Sequence, residues 1–246
     1  MCSSDLGKLF DYNLQQLINR MTTMLKLWGR PTSGRTQKVL WTLSEIGLEF
    51  EFILASATMG PGGHVSKGNK PFGVVDSAEY RAKNPNGRVP TIDDDGFVLW
   101  ESNSIVRYLA MQYAPDLLYG NDIKTFASAS RWLDWENNEL LPPQHEMVMH
   151  LIRLPEAQRD ANQLEHACKA FHKSLKIMDE QLARTRYICG ERFTYGDIAL
   201  GLRVHRWYLF DLESPPVANV ARWYAALKER PAFHRWTADP ANHLEG

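Results

Sequence analysis

The sequence predicts a mixed α/β half followed by an all-α half, and three observations carry that reading. A strand, a helix and a second strand follow one another between residues 25 and 54. Two further strands about a tight acidic turn, and one more helix, end near residue 114. Beyond residue 121 no strong strand signal remains, only apolar residues at helical spacing. Mixed elements followed by helices alone argue for two domains. Their expected bounds are 25–114 and 121–246, after an N-terminal extension over 1–24.

The elements follow in order. Leu25-Lys26-Leu27-Trp28 reads as the first strand, and Gly29-Arg30-Pro31-Thr32-Ser33-Gly34 as a loop by composition. Residues 35–46 place Val39, Leu40, Leu43 and Ile46 on one helical face, and Gly47 supplies the stop. Residues 49–54 form a second strand, so this strand–helix–strand unit implies a parallel pair. Residues 55–75 hold Gly60, Pro61, Gly62, Gly63, Gly68, Pro71 and Gly73, which predicts a long loop at the rim of a site. It is no phosphate loop, because no GK[ST] follows. A short helix over 77–83, a hairpin of Thr91-Ile92 with Phe97–Trp100, and a helix over Ser102–Tyr113 ended by Pro115 complete the first half. Helices are then expected over 122–150, 157–184, 195–210 and 217–229, with a short one after Pro231. Thr194-Tyr195-Gly196-Asp197 fits a capping box.

Composition narrows the function classes. The 246 residues are 44% apolar and 23% charged, ordinary for a globular protein with a full core. A net charge of −1 offers no basic field for nucleic acid or an anionic membrane. No apolar run approaches a membrane span, and residues 1–24 have no basic leader before an apolar stretch. Leu14, Leu17, Ile18 and Met21 are at helical spacing, so the extension is either a short amphipathic helix or a dispensable tail. Cys2, Cys168 and Cys189 are far apart and make neither a disulfide framework nor a zinc site, which points to a reducing, cytoplasmic setting. His145 and His150 are five apart, and His166 and His172 six apart, so neither pair has metal-motif spacing.

The motifs that carry chemistry are Val89-Pro90 and Glu101-Ser102. Proline cannot donate to a β ladder, so Pro90 belongs at a strand start or an edge, and its peptide bond can be cis at low cost. Such a strand leaves the Val89 backbone N–H and carbonyl free for a partner outside the sheet. Glu101 and Ser102 add a carboxylate, a hydroxyl and the open N–H groups of a helix N-terminus. The arrangement suits a small peptide bearing an amine and a carboxylate at one end; alternatively Pro90 is a plain edge proline and the acid–hydroxyl pair a helix cap.

This ordered set, with the helical remainder, resembles the cytosolic glutathione transferases over nearly the whole chain, from about Leu25 to Trp236. The resemblance implies a thioredoxin-like N-terminal domain and an all-helical C-terminal one. It implies that glutathione, as co-substrate, lies along Val89 and Pro90 with its γ-glutamyl end at Glu101 and Ser102. The loop after the first strand is where this family activates the glutathione thiol. Pro31-Thr32-Ser33-Gly34-Arg35 is similar to the serine-type members, theta-like and bacterial. That assigns Ser33 as the catalytic hydroxyl, with Thr32 as runner-up. A hydroxyl and a helix N-terminus both stabilise a thiolate, whose thiol has a pKa of about 8.5. Both residues would equally serve as helix caps. Arg35 is a cation at a helix start, which is locally unfavourable unless it faces an anion such as a ligand carboxylate; a solvated arginine is the alternative.

The implied reaction joins the thiolate of glutathione to an electrophilic hydrophobic compound, in a two-fold homodimer without metal. His64, Lys67 and Lys70 are candidates for the glycyl carboxylate. Arg131, Arg203 and Arg206, with some tryptophans and Tyr208, are candidates for the second-substrate wall. Two rivals remain open: glutathione-dependent reduction of a disulfide or peroxide, and a non-catalytic protein that binds hydrophobic ligands or partners on the same fold.

Overall fold

The computed structural model describes residues 24–56 and 74–238. The segment around Leu14–Met21 and the candidates His64, Lys67 and Lys70 lie outside the described residues. Strand β1 (Leu25–Gly29) pairs in parallel with β2 (Phe50–Leu54), Leu25 opposite Phe50, and helix α1 (Gly34–Ile46) makes the crossover. Gly47 closes α1 at φ 72°, the left-handed conformation that a residue without Cβ adopts at no cost. After α2 (Ala78–Lys83), β3 (Thr91–Asp94) runs antiparallel to β1, and β4 (Phe97–Trp100) pairs antiparallel with β3. The sheet order is β2-β1-β3-β4. This is a thioredoxin-like mixed sheet, and the regular elements after β4 among the described residues are helical.

Helix α3 (Ser102–Tyr113) crosses the sheet beside α1. Pro115 does follow its end, yet it also opens a new short helix, α4 (Pro115–Leu118), because a missing N–H costs nothing at a first helical position. The single helix expected over 122–150 is instead a succession: α5 (Ile123–Trp135), a π turn over Glu136–Leu140, α6 (Leu141–Val148) and a second π turn over Met149–Arg153. The prolines explain the first interruption. Pro142 and Pro143 supply no N–H to the preceding turn, and the Glu139 carbonyl accepts from Ser174 Oγ at 3.4 Å instead. Helix α7 (Ala161–Leu182) begins only where Asp160 caps it, accepting from Asn162 N at 2.8 Å and Gln163 N at 3.2 Å.

Helix α8 (Tyr195–Leu209) is the buried axis of the helical half, and α9 (Ala218–Lys228) packs against it. The capping box forms at its start: Asp197 accepts from Thr194 N at 2.8 Å, and Thr194 Oγ1 accepts from Gly196 N at 3.3 Å. The same carboxylate accepts from Ile188 N at 2.9 Å and Trp223 Nε1 at 2.8 Å, so the cap also fixes α9. One continuous core, from Leu27 and Ile92 of the sheet to Phe171 and Trp223 of the helices, joins the two halves. Trp41 of α1 meets the Phe233 ring edge-on at 5.2 Å. A Cβ at Gly201 would stand 2.6 Å from Leu227 and 3.1 Å from Trp41, so α1 approaches α8 this closely only because Gly201 carries none. That approach sets the N-terminus of α1 against the arginines of α8.

Candidate functional site

A cleft of about 540 Å³ opens between the loop after β1, the segment before β3, and helices α6 and α8. Ser33, Arg35 and Val89 line it, as do Arg203 and Arg206 of α8. Trp207 and Trp223 are buried in the core, Tyr208 stacks on Tyr224 at 4.9 Å, and Arg131 lies over Trp132 at 5.6 Å. None of these four is among the lining residues.

The loop geometry follows from local chemistry. Ser33 is the N-cap of α1, in the extended region, and its Oγ accepts from Thr36 N at 3.4 Å. That contact uses one lone pair, so the hydroxyl keeps its proton and a second lone pair for a further partner. The first N–H groups of α1, unsatisfied within the helix, point the positive end of its dipole toward the cleft. Arg206 stabilises the loop from the opposite domain: its Nη2 donates to the Thr32 carbonyl at 2.7 Å and to Gln37 Oε1 at 3.1 Å. A Cβ at Gly34 would stand 2.9 Å from Arg206 Nε, so only glycine lets this guanidinium lie against the first turn of α1.

The Val89–Pro90 bond is cis. Strand β3 starts at Thr91, and the Arg88 carbonyl is held by Tyr80 Oη at 2.7 Å and Asn84 Nδ2 at 2.9 Å. Among the described residues no hydrogen bond engages the Val89 N–H or carbonyl, which leaves both available at the cleft wall. Pro90 is buried behind Val89.

Glu101 and Ser102 do not line the cleft itself; they sit at the head of α3. Glu101 occupies the N-cap position, yet its side chain makes no capping bond. The plain cap reading therefore fails for Glu101. Its φ is 70°, a left-handed conformation that costs a non-glycine residue on the order of 1–3 kcal/mol. Its charge reaches Arg35, whose half-buried guanidinium is lowered chiefly by burial and then by Arg203, with Glu101 opposing. Arg35 and Glu101 act on each other through space, without an ion pair or hydrogen bond between them.

Beneath the cleft lies a buried polar cluster that sequence reasoning missed. Glu136, 0% exposed, accepts from Lys38 Nζ at 3.0 Å and Asn103 Nδ2 at 3.2 Å, and pairs with Arg203 Nε. Lys38 also donates to Asn103 Oδ1 at 2.6 Å, and Arg203 Nη1 to Gln144 Oε1 at 3.1 Å. Burial alone would raise the Glu136 carboxyl, but Arg203 and Lys38 overcome it and hold it at about 2. Burial lowers the Lys38 ammonium to about 8, with Glu136 opposing. No local pattern marks Lys38 as different from a solvated helix lysine, because its carboxylate partner is 98 residues away.

The chain is similar to known proteins along most of its length. Residues 32–112 match the glutathione S-transferase N-terminal domain, and residues 161–239 the C-terminal domain of the same family. Glutathione S-transferase GstB of Escherichia coli K12 is 36% identical over 221 residues, which covers 89% of this chain and 100% of the relative. Glutathione S-transferase 3 of Zea mays is 32% identical, covering 87% and 93%. The theta class glutathione S-transferase of Xanthomonas axonopodis pv. citri, with glutathione bound, superposes with a TM-score of 0.77 at 37% identity, covering 87% of this chain and 96% of that one.

Proposed function

The chain belongs to the glutathione S-transferase family, and from that premise we propose how its own residues bind glutathione and transfer its sulfur. Glutathione lies along the Val89 backbone in an antiparallel pairing with the free N–H and carbonyl. Its γ-glutamyl carboxylate meets the open N–H groups of α3 at Ser102, and its ammonium meets Glu101. The positive φ of Glu101 supports this, because such strain persists where the surroundings hold it in place. Arg35, beside Glu101, serves the same end of the tripeptide.

The observation that carries the reading is Ser33 at the N-cap of α1, lining the same cleft as Val89. The cysteinyl sulfur of a tripeptide on Val89 then reaches the start of α1. The Ser33 hydroxyl donates to it, and the helix dipole adds a favourable field. Low-pKa cysteines at helix N-termini or beside cations lie between about 3.5 and 7.5, against about 8.5 for a free thiol. The thiol proton passes to water on binding. The thiolate lone pair forms the new carbon–sulfur bond, and the leaving group departs with the electrons of the bond that breaks. An electrophile whose apolar part rests against Leu141, Pro142 and Val148 is held beside the ionised sulfur, so the step gains chiefly from proximity and electrostatics.

We place the glutathione-binding domain over residues 25–114 and the helical domain over 121–246, in a cytoplasmic homodimer as is usual for the family. The test is calorimetric titration with glutathione, followed in parallel by ultraviolet difference absorbance of the thiolate. Binding with a thiolate signal at neutral pH is expected; binding without ionisation would refute the role given to Ser33.

A further inference from the structure

Six arginines line the cleft, and among its described lining residues there is no aspartate or glutamate. Four of them act on one another around Arg206. Arg30 belongs to the loop after β1, Arg153 to the turn after α6, and Arg203 and Arg206 stand one turn apart on α8. Arg203 is 3% exposed and Arg206 9% exposed, so both guanidiniums are largely stripped of water. Each nonetheless keeps a buried nitrogen without a hydrogen-bond partner: Nη2 of Arg203 and Nε of Arg206, with Nε of Arg30 in the same condition. Unmet donors on buried cations are unfavourable, and a protein that retains them in a cleft presents a site for an anion. The mutual repulsion of Arg206 with Arg203, Arg30 and Arg153 adds to burial in lowering the Arg206 guanidinium to about 9.

Glutathione does not account for these cations. It carries two carboxylates, one of which the preceding reading sets at Ser102 with Arg35. The other, on the glycyl end, can take Arg30. Arg153 and Arg206 remain on the wall of the helical domain, together with Arg203, whose Nε is paired with Glu136 but whose Nη2 has no partner. Guanidinium groups bind carboxylate and phosphate oxygens through paired N–H donors.

We infer that the second substrate of this enzyme is an anionic electrophile, whose carboxylate, phosphonate or sulfonate group is bound by Arg153, Arg203 and Arg206 while its apolar part faces Leu141, Pro142 and Val148. This inference rests on the transferase reading above. In such a reaction the glutathione sulfur bonds to the electrophilic carbon, and the displaced group, for example chloride, leaves with the bonding electron pair. The arginines take no part in bond making; they orient the molecule by its charged end.

The test uses the full-length protein and two preformed products: the S-conjugate of glutathione with 4-chloro-3,5-dinitrobenzoate, and the same conjugate as its methyl ester. They differ in one negative charge. Calorimetry is expected to give at least tenfold tighter binding of the carboxylate conjugate, with the gap narrowing as salt rises. The gap is expected to shrink several-fold in Arg206→Gln and in Arg153→Gln. Arg153 is exposed, so its variant stays informative if loss of Arg206 impairs folding. Equal affinities for the two conjugates, or a gap that persists in both variants, overturn the inference. Glutathione alone is titrated as the control. If it binds while the gap is missing, only the anionic substrate is refuted; if glutathione itself fails to bind, the transferase reading falls and this inference with it.

Discussion

Replacing Glu136 by glutamine should weaken the whole molecule, because that carboxylate is the one anion among two buried cations. Lys38 and Glu136 have side chains 1% and 0% exposed, and Arg203 is 4% exposed. Glutamine keeps the volume and one acceptor oxygen but removes the charge. Lys38 and Arg203 then face each other without compensation in a medium of low polarity. Breaking a buried pair from one side typically costs about 3–5 kcal/mol. The retained acceptor places this variant at the lower end, about 3 kcal/mol, or roughly 10 °C in melting temperature for a chain of this size. Denaturant unfolding followed by tryptophan fluorescence measures it. A cycle with Lys38→Met isolates the pair: the lysine change should cost much less in the Glu136→Gln background than alone. A loss below about 1 kcal/mol for E136Q, or additive effects in the cycle, would refute the argument. The pH dependence follows from the same group. Its folded pKa, held at about 2 by Arg203 and Lys38, lies below the ordinary glutamate value of 4.5. The stability it contributes is therefore complete above pH ~4.5 and is lost as pH falls toward ~2, by about 3 kcal/mol. In E136Q that component of the acid slope should vanish.

Three further changes test the site and its frame. Ser33→Ala should lower turnover by at least tenfold and abolish the thiolate absorbance at neutral pH, while glutathione affinity moves little; unchanged turnover would remove Ser33 from the chemistry. Glu101→Ala should raise the glutathione dissociation constant by about tenfold, the effect of one lost charge-assisted hydrogen bond of about 1.5 kcal/mol. An unaltered constant would move the γ-glutamyl end elsewhere. Thr194→Ala removes the α8 cap and should cost about 1–2 kcal/mol in thermal unfolding, with glutathione affinity intact; a stability equal to the parent's would mean that Asp197 alone holds the helix start.

Much of this protein is written locally. The apolar spacing of residues 35–46, the Gly47 stop and the parallel β1–β2 pair follow from short-range sterics and periodicity, and the structure bears out each. So does the capping box at Thr194 and Asp197, which needs only four consecutive residues. The motifs Ser33, Val89-Pro90 and Glu101-Ser102 are legible for the same reason: a cap, a strand start and a helix head are local events. What they form together is not local. The strained backbone of Glu101, its missing cap bond and its reach to Arg35 emerge only when α1 and α3 stand side by side on the sheet. The π turns at 136–140 and 149–153 leave no mark in the sequence, because helical periodicity barely changes across one extra residue. Lys38, Glu136 and Arg203 look like solvated helix charges until tertiary packing removes the water and makes them partners. The arginine wall has the same origin: its members come from positions 30, 153, 203 and 206, and only the packing of both α1 and α6 against α8 brings them to one cleft. Hydrogen bonding and periodicity act over a few residues, and so the sequence determines elements and caps. Burial and charge pairing act through space, and so the chemistry of the cleft is decided by the fold.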